Sequence, residues 1–140
     1  MKFYLIIFLM LGMCFGFVSQ TKAEESVQTG SLIKGSLSSV YYYAKDGKRY
    51  VFPYEKVYKS WFADFSNVKK VSDDFLATLS IGGNVTYKPG VKMVKITTDP
   101  KTYAVAGGEV LRWVKTEAVA VSLYGVDWNK KIDDVPDAFF

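Results

Sequence analysis

Two stretches of this chain carry the same residues in the same order, and that repetition constrains the fold more than any other feature. In the first, Leu32-Ile33-Lys34 precedes Tyr42, Gly47, Arg49-Tyr50-Val51, Glu55, Val57 and Ser60. In the second, Met93-Val94-Lys95 precedes Tyr103, Gly107-Gly108, Arg112-Trp113-Val114, Glu117, Val119 and Ser122. Further on, Lys69 to Asp74 is answered by Lys130 to Asp134, and the offset stays between 60 and 63 residues throughout. The order points to a tandem duplication of a unit of about 60 residues. Unit one is read as residues 30–88 and unit two as residues 89–140, after a polar, flexible lead-in at 24–29.

What precedes the repeats reads as an export signal. Lys2 supplies a positive charge, and Phe3 to Val18 contains neither a charge nor a proline. Thr21 and Ala23 then place small residues at positions −3 and −1 of a cut between Ala23 and Glu24. The alternative is a retained N-terminal anchor, but 16 apolar residues fall short of the roughly 20 needed to span a bilayer. Leu11-Gly12-Met13-Cys14 approaches a lipoprotein box, with Met13 where a small residue belongs. Cleavage takes 23 of the 140 residues and leaves 117. It removes Lys2, Lys22 and the single Cys14, so 16 basic residues face 14 acidic ones and the net charge falls from +4 to +2. The mature part is secreted or displayed at the cell surface, with no disulfide or reactive thiol and no stable membrane span. Its Lys-rich pairs at 48–49, 69–70 and 130–131 are isolated and flanked by acids, which removes the case for nucleic-acid binding.

Each unit has a coarse secondary structure. Val40 to Lys45 and Lys48 to Phe52 read as strands around an Asp46-Gly47 type I′ turn. The second hairpin lengthens the path from Tyr to Arg from seven residues to nine, an even change that keeps the same faces paired. Pro53 suits the first turn of a helix whose apolar stripe is Tyr54, Tyr58, Trp61 and Phe65. Ser72 or Asp73 caps a short helix through Leu79, broken by Gly82-Gly83. Strands follow at Val85 to Tyr87 and Val91 to Thr97 around Lys88-Pro89-Gly90. Thr116 caps a helix that stops at Gly125. The fold class is α+β: two degenerate repeats, each an antiparallel β-hairpin followed by short helices, with linking strands. Unit one runs on past its Asp-Asp pair into a further strand and unit two has no equivalent, so the repeat is closed differently or the sequence is partial.

The chemistry available is narrow. The chain has no histidine, which excludes Ser-His-Asp and Cys-His catalysis and any imidazole metal site. Ser66-Asn67-Val68-Lys69 fits S-x-x-K but lacks its companion elements, and reads as a solvated loop. Asp73-Asp74 and Asp133-Asp134 are adjacent pairs rather than carboxyls facing across a cleft, and suit helix starts. Asp127, Asn129, Asp133 and Asp134 offer oxygens to calcium, but not at EF-hand spacing. Gly82 to Gly90 lacks the Gly-Lys-Ser/Thr end of a phosphate loop and reads as a turn. The aromatic residues remain. The mature part keeps nine Tyr, six Phe and all three Trp. Tyr41 and Tyr43 share one strand face and Tyr42 takes the other. Tyr42 and Tyr103 recur between units and suit the core, while Tyr41, Tyr43 and Tyr50 are the candidates for binding through exposed rings. Most of the aromatics otherwise serve two small cores.

Tyr42-Tyr43, Asp46 to Pro53 and Asp64-Phe65, with Ile81 to Gly90, Arg112-Trp113-Val114 and Ile132 to Phe140, carry a resemblance. Over Gly30 to Phe140 the chain resembles an uncharacterised repeat of exported bacterial proteins, common in the small-genome candidate-phyla (Patescibacteria) lineages. The resemblance implies an exported, often surface-associated module and carries no functional residue. The expectation is therefore a secreted, non-catalytic cell-surface interaction module, without cofactor or metal, whose partner is an envelope polymer or a surface protein. The alternative is carbohydrate or peptidoglycan binding through exposed aromatics; a carboxylate-dependent hydrolase comes third.

Overall fold

A computed structural model describes residues 27–139. The export signal at 1–23, the cut between Ala23 and Glu24, and the start of the lead-in lie outside the described residues. Within them the chain is a mixed α+β structure with two sheets and three α-helices. The first part of the chain runs β1 (Leu32–Lys34), β2 (Tyr41–Tyr43), β3 (Arg49–Val51), α1 (Glu55–Trp61), β4 (Val68–Lys70), α2 (Asp73–Thr78) and β5 (Ile81–Asn84). The second runs β6 (Met93–Ile96), β7 (Tyr103–Ala106), β8 (Val110–Trp113), α3 (Glu117–Tyr124), a 3-10 turn (Trp128–Lys131), β9 (Ile132–Val135) and a last 3-10 turn (Asp137–Phe139). No helix among the described residues is long and apolar enough to cross a membrane.

The first sheet has the order β4-β1-β2-β3-β5 and the second β8-β7-β6-β9. In each, three strands form an antiparallel meander, and a helix then carries the chain over to a strand parallel to the first. The first sheet gains β5, parallel to β3.

Strands of three or four residues are too short to hold alone, so burial on both faces decides their stability. Period-two alternation supplies it. In β1, Leu32 joins a central apolar cluster and Ile33 an outer one with Val71 and Leu76. In β6, Met93 packs with Ala104, Ala120 and Tyr124 beneath α3, whereas Val94 joins the central cluster. That central cluster unites Leu32, Val40 and Phe52 from the first half with Val94, Val105 and Val135 from the second, and α1 contributes Val57 and Tyr58. Both α1 residues are almost fully buried. Each such side chain contributes about 1.5–3 kcal/mol of burial. Tyr87, equally buried, reaches the same cluster from the segment between the sheets.

Local signals place the ends of the elements. The Ser72 hydroxyl accepts from the Phe75 N–H and caps α2, and Thr116 does the same for α3 through the Val119 N–H. Gly125 closes α3. The helix expected after Pro53 is shorter than its stripe: α1 ends at Trp61, and Phe65 returns from outside it to stack on Tyr58 at 4.3 Å.

Three local expectations are corrected. The first hairpin turn is not type I′, since Gly47 alone has positive φ (+76°) and Asp46 does not. The Gly47 N–H bonds to the Ala44 carbonyl, and the Asp46 carboxylate accepts from the Lys48 N–H. That is a three-residue loop with glycine in the left-handed position, and the aspartate's capping bond favours it. Gly82-Gly83 is not a break before a strand at Val85 to Tyr87: both glycines lie in β5, and residues 85–87 are not a strand. The Tyr50 ring lies across Gly82, so a Cβ there would fall within 2.7 Å of three ring carbons, and Gly83 has φ +139°. Here glycine makes a strand possible beside an aromatic ring. Asp133-Asp134 is not a helix start either; it lies in β9, whereas Asp73 does open α2.

Gly82→Ala is expected to destabilise the protein by about 1–3 kcal/mol, because the Tyr50 ring must leave β5 and give up its bond to Asp46. The double variant with Tyr50→Ser should recover part of that loss in urea unfolding. A Gly82→Ala cost that is unchanged in the Tyr50→Ser background would refute the assignment.

Candidate functional site

Backbone pairing sets the three tyrosines singled out in the sequence. Tyr41 and Tyr43 lie on the outer face of the first sheet and pack against the Ile33, Val71 and Leu76 cluster under α2. Tyr43 meets Phe75 edge-on at 6.4 Å, and Tyr41 carries the Arg49 guanidinium 4.9 Å from its ring centre. Tyr50 lies opposite Tyr42, and its hydroxyl donates to Asp46 at 2.8 Å. All three are half-buried. The structure joins Tyr41 and Tyr43 on one face and sets Tyr50 apart on the other. Tyr42 and Tyr103 both border the central cluster, one from each sheet.

A more open aromatic surface lies in the second half. Trp113, at the end of β8, keeps 50% of its surface exposed. It opens onto a cleft of about 340 Å³ whose other walls include Lys101, Thr102, Lys115, Glu117 and Trp128. Three local devices build the cleft. The β7–β8 ladder holds Trp113 opposite Tyr103, and the Val114 N–H bonds to the Thr102 carbonyl. The Thr116 cap starts α3 directly behind it. Trp128, on the 3-10 turn, packs half-buried against the Met93 and Ala120 cluster and closes the far side. The Lys101 and Lys115 ammoniums stand 5.5 and 5.4 Å from the Trp113 ring centre. An indole face flanked by two cations stacks on flat apolar groups such as sugar rings and attracts negative charge. Sequence reasoning used Trp113 only as part of the repeated Arg112-Trp113-Val114 match and did not single it out for binding. Lys115, two residues further on, was the only neighbouring signal in the sequence; Lys101 is brought in by the fold.

The carboxylates are engaged locally. Asp46 accepts from Tyr50 and Lys48, Asp64 from Ser66, and Asp73 from the Ser36 hydroxyl and N–H. Those hydrogen bonds hold all three below the ordinary carboxylate range. Asp127 pairs with Lys130, Asp134 with Lys95, and Asp133 with both Lys92 and the Tyr87 hydroxyl. Among the described residues no group of three acids is placed to hold a metal ion, the Asp127 to Asp134 segment included. Ser66 of the S-x-x-K stretch donates to Asp64, and the Lys69 that follows lies on strand β4.

Comparison with protein-family models, with curated proteins and with solved structures finds no match to this chain.

Burial raises the phenol groups of Tyr58, Tyr87 and Tyr124 above their ordinary value, and for Tyr87 the neighbouring Asp133 adds to it. The fold therefore holds the neutral phenol. Its stabilisation is complete below the unfolded value near 10 and falls as pH rises above it toward the raised folded values. Urea unfolding at pH 9 and pH 11 should show this loss, and Tyr87→Phe should reduce it. An alkaline decline in Tyr87→Phe as steep as in the parent would exclude Tyr87 as a source.

Proposed function

We propose that the mature protein is a secreted, non-catalytic interaction module of the bacterial cell surface that engages an envelope polymer through the Trp113 cleft. The half-exposed indole between two lysines carries this reading. Polyhydroxylated and anionic chains are the polymers such a surface fits, by stacking and by charge. Exposed apolar side chains elsewhere in the second half add support, for Leu123 is 58% and Val126 85% accessible. The hydrogen bonds and ion pairs that engage the aspartates favour binding over hydrolysis, which needs two carboxyls facing each other across a cleft.

The carbohydrate or peptidoglycan reading is the narrower form of the same proposal. Tyr41, Tyr43 and Tyr50 are its secondary contacts, because their rings are half-buried and already occupied. The duplication also belongs to this reading. The shared connectivity of the two sheets supports it, and so do the matching hairpin pairs Tyr42–Tyr50 and Tyr103–Trp113. The units differ elsewhere in register, with Leu32 opposite Tyr42 and Val68 but Met93 opposite Ala104 and Ile132, slips of one and three residues from the repeat offset of 61. Export by the N-terminal signal and membership of the exported candidate-phyla repeat complete the proposal. They rest on the sequence.

Binding to an array of purified glycans and peptidoglycan fragments tests it. Trp113→Ala is expected to weaken the strongest interaction at least about tenfold, the scale of an interface anchor. Lys101→Ala should weaken it less and flatten its salt dependence. Uniformly absent binding, or binding indifferent to Trp113→Ala, would overturn the reading.

A further inference from the structure

Arg49 occupies an unusual position. It lies on β3 at a cavity of about 410 Å³ whose walls include Gly35, Ser36, Leu37, Tyr41 and Asp73. Its guanidinium carbon lies over the Tyr41 ring, 4.9 Å from the ring centre. Its Nε is shielded from solvent and has no acceptor. None of the ion pairs among the described residues includes Arg49. The one carboxylate in the cavity wall, Asp73, is held by the Ser36 N–H at 2.9 Å and the Ser36 hydroxyl at 2.6 Å. Gly35 makes that arrangement possible, since a Cβ there would collide with Asp73 and Leu76.

A shielded N–H donor without a partner marks a place where an acceptor is missing. Because Nε is shielded, the terminal nitrogens are the donors left to an incoming group, and together they match the two oxygens of a carboxylate. We infer that this cavity is a binding site for a carboxylate group carried by an envelope polymer, with Arg49 as the anchor over the Tyr41 ring. Asp73 narrows the class. Its charge disfavours ligands with a second negative group nearby, and its remaining lone pairs favour a hydroxyl or amide N–H beside the carboxylate. A uronic acid ring and the carboxyl terminus of a peptide stem both present that combination. The site is separate from the Trp113 cleft and stands whether or not that cleft takes a polymer.

The test is NMR titration of the protein, following the Arg49 Nε–H resonance and the Tyr41 ring. Glucuronic acid is compared with glucose, and N-acetylalanine with its carboxamide. At least one acid is expected to shift the Nε–H with millimolar affinity, its neutral analogue binding about tenfold more weakly or worse. The acid that binds identifies the source, sugar or peptide. Arg49→Gln should abolish the response at Tyr41, and Arg49→Lys, which keeps the charge and loses the fork, should weaken it by about tenfold. Should Arg49→Gln fail to fold, Arg49→Lys and the parent Nε–H resonance still decide. The inference fails if neither acid moves the Nε–H at about 50 mM, well above a millimolar constant. It also fails if acids and neutral analogues bind alike, or if Arg49→Lys binds as the parent does.

Discussion

Burial of Val57 and Tyr58 between the two sheets is the contact on which the other elements depend. Helix α1 has only seven residues and could not persist alone. It is held because Leu32, Val40 and Phe52 meet it from one half and Val94, Val105 and Val135 from the other. Each sheet in turn needs that contact, since its inner residues would otherwise face water. The outer faces are covered more lightly, by α2 over Ile33 and Val71 and by α3 over Met93 and Ala104. Strands buried on both sides explain a composition rich in aromatics without any disulfide.

Side chains that act on their own backbone neighbourhood were legible in the sequence. Ser72 and Thr116 cap helices because a hydroxyl three residues before an N–H needs nothing else. The strand alternation that separates Tyr42 from Tyr41 and Tyr43 follows from backbone geometry alone. Features that depend on a distant partner were not legible. Gly82-Gly83 has the local grammar of a break, and only the Tyr50 ring brought beside it by β3 turns it into a strand. Asp133 reads as a helix-starting acid until Lys92 and Tyr87, some 40 residues earlier, are seen to bind it. The type I′ expectation failed for a smaller reason, because the Asp46 side chain reaches the Lys48 N–H from ordinary negative φ.

The same distinction governs the candidate sites. Tyr41, Tyr43 and Tyr50 draw attention in a sequence, yet the fold engages them with Arg49, Phe75 and Asp46 respectively. Trp113 and Arg49 look ordinary within the repeated Arg-aromatic-Val wording. What distinguishes them is what the fold leaves undone: one indole half in water, one guanidinium nitrogen dry and unmatched. Neither condition can be read from residue type or spacing.

The placement of α1 also bears on what a protease could achieve. The turn at Lys88 to Val91 is exposed at Lys88, Pro89, Gly90 and Val91, so it is the natural place for a nick. Yet the halves are joined chiefly by the buried surface around Val57 and Tyr58, and the peptide bonds of the turn add little to that joint. A chain cut there would stay one particle, its two fragments held as partners in a non-covalent complex.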